Sequence, residues 1–182
     1  MKKRCAWAKD ELSIIYHDEE WGNPRHDDRA LFEFLILEGA QAGLSWSTIL
    51  KRRNGYKNVF SDFNVLKVSK YSQKHIQKIL QDESIIRNEL KIKSAVNNAK
   101  QFLKIQSEFT SFNNYLWSFV NHKQIKNNFK KLSDIPTSTE TSKKLSNDLK
   151  KRGFSFVGPT ICYALMQAIG MVNDHTVDCF RY

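Results

Sequence analysis

The chain has 182 residues, with 29 Lys plus Arg against 19 Asp plus Glu, for a formal net charge of +10. That length holds one domain, or one domain of two lobes, and suffices for a hydrophobic core without disulfide support. With 41% hydrophobic and 26% charged residues the composition excludes wholesale disorder, and no apolar run is long enough for a membrane-spanning helix. The basic start runs into Lys9, Asp10 and Glu11 without an apolar segment, so no secretory signal is expected and the cytoplasm is the expected location. Three cysteines are too few for a disulfide framework and suit a reducing compartment.

In chain order the pattern predicts helices with short connections. Asp27 or Asp28 caps a helix to about residue 42, with Leu31, Phe34, Leu35 and Glu38 on one face. Ser45 caps a second helix carrying Trp46, Ile49 and Leu50, and Ser72 a third with Ile76, Ile79 and Leu80. A longer helix is expected over 87–105, and a short aromatic one over 112–120. After a loop at Pro136, a helix over 140–152 stops at Gly153. Pro159 then starts a last helix ending near Gly170. Val, Ile and Thr show no period-2 alternation, so an all-α protein of about eight helices is predicted.

Charge is uneven along the chain. Residues 1–50 are net −3, residues 51–104 net +9 and residues 121–152 net +6. Two basic blocks suggest a polyanion partner, most often nucleic acid; the plainer reading is a solvated surface.

Metal ligands are scarce, and they sit at the two ends. Cys5 and His17 lie near one end, and His175 and Cys179, four apart, near the other. On a helix the latter two would share a face, and two thiolates with two imidazoles make a closed tetrahedral zinc set. Such a set would clip the N-terminal segment onto the C-terminal one. Two buried cysteines and two surface histidines fit the spacing as well. Cys162, within an apolar run, reads as core.

Glu38 shares its apolar stripe with Leu31, Phe34 and Leu35, near a helix end whose dipole disfavours an anion. A carboxylate there is costly unless it is paired or faces a polar cavity. The alternative is that it turns out to solvent as the helix ends at Gly39. Trp7, Tyr16, Trp21 and Trp46 all fall in the first quarter of the chain. Aromatics with one carboxylate suit a pocket for a planar, cationic group, although each could equally be core.

The stretch from Leu149 to Ile161 joins two helices through a connection bounded by Gly153 and Gly158. Glycine lets a phosphate approach, the helix opening at Pro159 and Thr160 offers free N–H groups, and Lys150, Lys151 and Arg152 add charge. A glycine-capped helical turn is the competing reading. P-loop, dinucleotide, nucleophile-elbow and zincin signatures are absent.

Taken together these residues resemble the 3-methyladenine DNA glycosylase I family of constitutive bacterial alkylation-repair enzymes. The matching runs include Tyr16-His-Asp-Glu-Glu-Trp21-Gly22, Leu37-Glu38-Gly39, Gln41-Ala-Gly-Leu-Ser-Trp46, Leu116-Trp-Ser-Phe-Val-Asn-His122, Ile135-Pro-Thr-Ser-Thr139, Lys150-Lys-Arg-Gly-Phe154, Phe156-Val-Gly158 and Val172-Asn-Asp-His175. The resemblance spans essentially the whole chain. It implies a helix–hairpin–helix glycosylase fold, one domain over residues 1–182 of two lobes, with the terminal segments forming a zinc-binding lobe. It implies zinc at Cys5, His17, His175 and Cys179. It places Glu38, the candidate catalytic residue, with Tyr16 and Trp46 at the damaged base; the aromatic pocket read above adds Trp7 and Trp21 as candidate substrate contacts. It makes Gly43 and Leu44 a wedge that fills the gap left by a flipped nucleotide, and the helix–hairpin–helix fold it implies agrees with the clamp read above at Lys150, Lys151, Gly153, Gly158 and Thr160. Ser13 stands where a further pocket tyrosine would be expected, and Asp174 lies near where related glycosylases place a catalytic aspartate.

The implied activity is hydrolysis of the N-glycosidic bond of 3-methyladenine in double-stranded alkylated DNA, giving free base and an abasic site without a lyase step. A monomer without membrane association is expected. A zinc-stapled DNA-binding module without catalysis, and a glycosylase of broader alkylpurine range, are the alternatives.

Overall fold

Polar residues placed just ahead of apolar runs set the helix boundaries. In the computed structural model, which describes residues 2–182, nine α-helices follow one another among the described residues. Asp10 opens α1 (Glu11–Glu19): its carboxylate accepts from the Ser13 amide, and the Ser13 hydroxyl accepts from the Asp10 amide. Asp27, not Asp28, caps α2 (Asp28–Gln41). The Asp28 carboxylate instead accepts from the amides of Phe112 and Asn113 at 2.9 and 2.8 Å, at the start of a later helix. Ser45 caps α3 (Trp46–Val59), and Asn64 caps the short α4 (Val65–Ser69). Ser72 caps α5 (Gln73–Leu80) and Asn88 caps α6 (Glu89–Phe109). Ser111 caps α7 (Phe112–Ser118), and Thr139 caps α8 (Glu140–Lys151). Pro159 opens α9 (Pro159–Ala168), where its missing N–H leaves nothing unpaired.

The chain is mostly helical, with one departure from the all-α expectation. β1 (Ile125–Lys126) pairs in parallel with β2 (Val172–Asn173), Ile125 opposite Val172. Two residues per strand are too few to leave an alternating pattern in the sequence. Helix α1 was also hidden from periodicity: Leu12 and Ile15 are exposed, whereas Ser13, Tyr16 and His17 are buried. The polar face is the one that faces inward.

Helix α2 runs through the centre. It is not the one-sided stripe that the spacing suggested: every residue from Phe34 to Ala40 is buried, against α3, α6, α7 and α9. A helix apolar all round belongs in a core, and it carries Glu38 there with it. α6 runs against α4, α5 and α7. α8 and α9 pack on each other through the connection 152–158. The ends of the chain meet, with the Phe180 amide donating to the Lys3 carbonyl at 2.9 Å.

Candidate active site and metal cluster

A cavity of about 370 Å³ opens where α1, the end of α2, the start of α3, the loop 132–137 and α9 converge. Four of its walls are the aromatics singled out in the sequence. Tyr16 and Trp46 lie 5.2 Å apart between ring centroids, and Trp7 meets Trp21 edge-to-face at 5.0 Å. Glu38 lines the same cavity and is only 4% exposed. Its Oε2 is buried without a hydrogen-bond partner, and so is the indole N–H of Trp46. Burial alone pushes the Glu38 carboxyl up to about 8. Burial, followed by the neighbouring Glu38 carboxylate, raises the Tyr16 hydroxyl well above its ordinary value. An unpaired acid and an unpaired donor at the end of an aromatic slot are sites that a planar base bearing both kinds of edge can satisfy.

The cavity has walls that sequence reasoning missed. Leu132, Ile135 and Pro136 close one side from the loop, and Tyr163 and Gln167 close another from α9. The Ile135-Pro136 run was visible as a motif without a role. Tyr163 and Gln167 are four residues apart on the helix predicted from Pro159, but which face of that helix meets the cavity is set by tertiary packing. Behind them Asp174, fully buried, accepts from Tyr163, Gln167 and Asn127 at 2.5, 2.8 and 2.7 Å. Asp174 is not among the cavity's lining residues.

Cys5, His17 and Cys179 are buried and present ligand atoms within 4.8 Å of one another, a group able to hold a metal ion. His175 stands beside this group, its ring 4.9 Å from that of His17. Its Nε2 lies outside the 4.8 Å set and is buried without a partner. Both histidines engage Nδ1 elsewhere, His17 with Asp18 and His175 with Asn173, each at 2.8 Å. That supplies the outer-shell partner that metal-binding histidines use and turns Nε2 of each toward the cluster, His17 Nε2 meeting the Cys5 amide at 3.3 Å and Cys179 Sγ at 3.4 Å. Burial lowers the pKa of both rings, favouring the neutral form that ligates. Arg4 forks onto Asp18 in turn, at 2.7 and 2.9 Å. The helix expected to carry His175 and Cys179 is absent. The chain leaves β2 and turns, with the Cys179 amide donating to the Thr176 carbonyl at 2.8 Å. Gly22 permits the crossing: with φ +75°, a Cβ there would come 2.9 Å from the His175 ring. The cluster also abuts the cavity, since the Trp7 ring lies 5.3 Å from His17 and the Trp21 ring 4.7 Å from His175.

The candidate clamp residues gather at the α8–α9 connection. Lys150 and Lys151 are exposed at the end of α8, and Gly153 has φ +85°. Gly158 precedes α9, and a Cβ there would meet nothing within 4 Å. Thr160 reaches the cavity lining. Arg152 departs from expectation: it binds Asp148 and Glu108 at 2.7 Å each and lies over the Phe109 and Tyr115 rings. The basic block 51–104 is also less uniform than its count implies, because Arg53 is spent on Glu20 and Glu33. Gly43 and Leu44 are exposed between α2 and α3, and Ser13 is occupied in the α1 cap.

A model of the family described as methyladenine glycosylase matches residues 6–182. The chain belongs to the methyladenine glycosylase family. It is 48% identical to DNA-3-methyladenine glycosylase 1 of Escherichia coli (strain K12), over 99% of this chain and 97% of that protein. It is 46% identical to DNA-3-methyladenine glycosylase of Haemophilus influenzae, over 98% of this chain and 97% of the relative. Its fold matches 3-methyladenine DNA glycosylase I of Staphylococcus aureus, solved to show 3-methyladenine recognition, with a TM-score of 0.95, 38% identity and coverage of 98% and 95%.

Proposed function

We propose that the aromatic cavity receives a flipped 3-methyladenine and that Glu38 recognises it. The family's work is base-excision repair, and this chain removes 3-methyladenine by hydrolysing its N-glycosyl bond. The observation that supports the Glu38 assignment is its buried carboxyl, without a partner on Oε2 and pushed up to about 8 at the edge of an aromatic slot.

Methylation at ring position 3 makes the base cationic while it is still attached to the sugar. Its departure as a neutral base needs little help from a general acid. Aromatic faces favour the cation, and a carboxylate accepts from its exocyclic amine. Bringing the cation beside Glu38 restores the charged carboxylate that burial disfavours. Undamaged adenine leaves that acid without a cation, which is where discrimination arises. As the bond breaks the sugar gains oxocarbenium character, and water completes hydrolysis to an abasic site. Residues 153–174 contain no lysine to form a Schiff base, which supports a monofunctional enzyme without a lyase step.

The proposed engagement with duplex DNA follows a helix–hairpin–helix geometry. α8, the connection 152–158 and the open start of α9 would hold phosphate, with Lys150 and Lys151 adding charge. Gly158 fits this reading because neither its backbone angle nor protein packing demands glycine. Gly43 and Leu44 would enter the base stack as the wedge. Zinc is the proposed ion, held by Cys5, His17, Cys179 and His175, the donor set of a closed structural site. The orphaned His175 Nε2 supports its inclusion. Such an ion would tie the terminal segments into one lobe of a single monomeric domain, leaving no open position for an activating water.

Chromatography of the bases released from methylated duplex DNA tests the specificity. Release of 3-methyladenine with larger alkylpurines retained is expected. Comparable release of those larger bases would favour the broader glycosylase.

A further inference from the structure

The link between Glu38 and Trp46 is a defined turn. α2 ends at Gln41, and the Leu44 amide donates back to the Gln41 carbonyl at 2.6 Å. Ala42 has φ −44° and ψ 114°, and Gly43 has φ +78°. These are the angles of a type II turn, which requires positive φ at its third residue. A Cβ on Gly43 would meet nothing within 4 Å, so glycine is there for the backbone and not for packing. The turn delivers Leu44 to the surface, and Ser45 immediately caps α3.

Type II and type I turns differ by a flip of the central peptide, here the one joining Ala42 to Gly43. Its carbonyl belongs to Ala42. Lys91, in the first turn of α6, places Nζ 2.7 Å from that carbonyl and 2.8 Å from the carbonyl of Ala40. A flip would swing the Ala42 oxygen away and break the first of these bonds. α2 has no basic residue in its own last turn, so Lys91 supplies from α6 the cation that a helix C-terminus favours. By charge count Lys91 belongs to the most basic stretch of the chain, yet it is only partly exposed and two of its donors are already engaged.

We propose that Lys91 is a positioning residue: it holds the Ala42 carbonyl, locks the turn 41–44 in its type II form and keeps Leu44 projected toward the duplex. This rests on the reading of Leu44 as the wedge. Lys91 acts through the tip of the turn, Ala42 to Leu44, none of which lines the aromatic cavity.

The experiment compares wild type, Lys91→Met, Lys91→Arg, Gly43→Ala, Leu44→Ala and the Lys91→Met/Leu44→Ala double variant. Each is assayed for single-turnover excision from methylated duplex and titrated with free 3-methyladenine by tryptophan fluorescence. Lys91→Met should slow duplex excision about tenfold, the scale of one lost charge-assisted hydrogen bond. Free-base affinity should stay unchanged. Lys91→Arg, which keeps a donor, should recover most of the rate, and Gly43→Ala, which disfavours the same turn independently, should reproduce the loss. In the Leu44→Ala background Lys91→Met should add little, because both act on one element. Full additivity, an equal loss of free-base binding, or duplex excision at the wild-type rate in Lys91→Met would overturn the proposal. Wild-type excision by Leu44→Ala would remove the wedge reading and this role together. An impaired Leu44→Ala with an unimpaired Lys91→Met would remove this role alone.

Discussion

The Asp174 carboxylate accepts a hydrogen bond from the Tyr163 hydroxyl at 2.5 Å, and Tyr163 is a wall of the aromatic cavity. Gln167, another wall residue, donates to the same carboxylate oxygen at 2.8 Å. Asp174 therefore braces one side of the pocket from behind, with its acceptors engaged by protein donors. Asp174→Asn places an amide against those donors and should cost about 1–3 kcal/mol, read by urea denaturation. Excision per folded molecule should fall far less than the roughly 10²–10⁴ expected on losing a general base. Unchanged stability with excision abolished would give Asp174 a chemical role.

Glu38 links pH to stability. Its folded-state value of about 8 lies above the ordinary 4.5 of an unfolded chain. Between those values the folded protein holds a proton that the unfolded chain has released, so stability is full below the lower value and falls as pH rises toward the upper one. Glu38→Gln has no such proton. Its melting temperature should lie near wild type at about pH 5 and exceed it by a margin that grows to about pH 8. Thermal melts across that range decide it; parallel profiles would contradict the burial of an unpaired acid.

The proposed zinc should be structural. Purified protein should carry about one zinc per chain, and Cys179→Ser should lower both metal content and melting temperature. Because the Trp7 and Trp21 rings pack on His17 and His175, the same variant should weaken free-base binding. Elemental analysis with melting curves checks the first part and fluorescence titration the second. A metal-free protein that melts unchanged would contradict the assignment.

The two lysines and the arginine at the end of α8 should behave differently. Lys150→Ala with Lys151→Ala should flatten the salt dependence of binding to undamaged duplex, by about 0.9 in log–log slope for each phosphate no longer neutralised. Arg152→Ala should instead lower stability, since Arg152 is held by Asp148 and Glu108. Affinities measured across a salt series separate the two, and an unchanged slope for the lysine pair would place them away from DNA.

Much of this was legible in the sequence because caps and motifs are local. Ser45, Ser72 and the Gly153-to-Pro159 connection fix their elements through their immediate neighbours, and the structure reproduces them. Glu38 was legible as a carboxylate where a carboxylate is costly, although its burial comes from α2 being enclosed on all sides. What stayed hidden depends on tertiary contact. α1 buries its polar face around Tyr16 and His17, so hydrophobic spacing is silent about it. The β1–β2 pair joins positions almost fifty residues apart in a two-residue bridge. Arg152 and Lys91 look like free surface charge until their partners Glu108 and Ala42 arrive from other elements.

The central claim is that Glu38 recognises the cationic base more than it moves a proton. Glu38→Gln keeps the size and one acceptor oxygen and removes the charge. Single-turnover excision and free 3-methyladenine titration on this one variant test the claim most directly. Weakened base binding with reduced but measurable excision is the predicted result, because the cationic base leaves readily unaided. Intact base binding with excision essentially abolished would show that Glu38 acts in the chemistry, and would contradict the account.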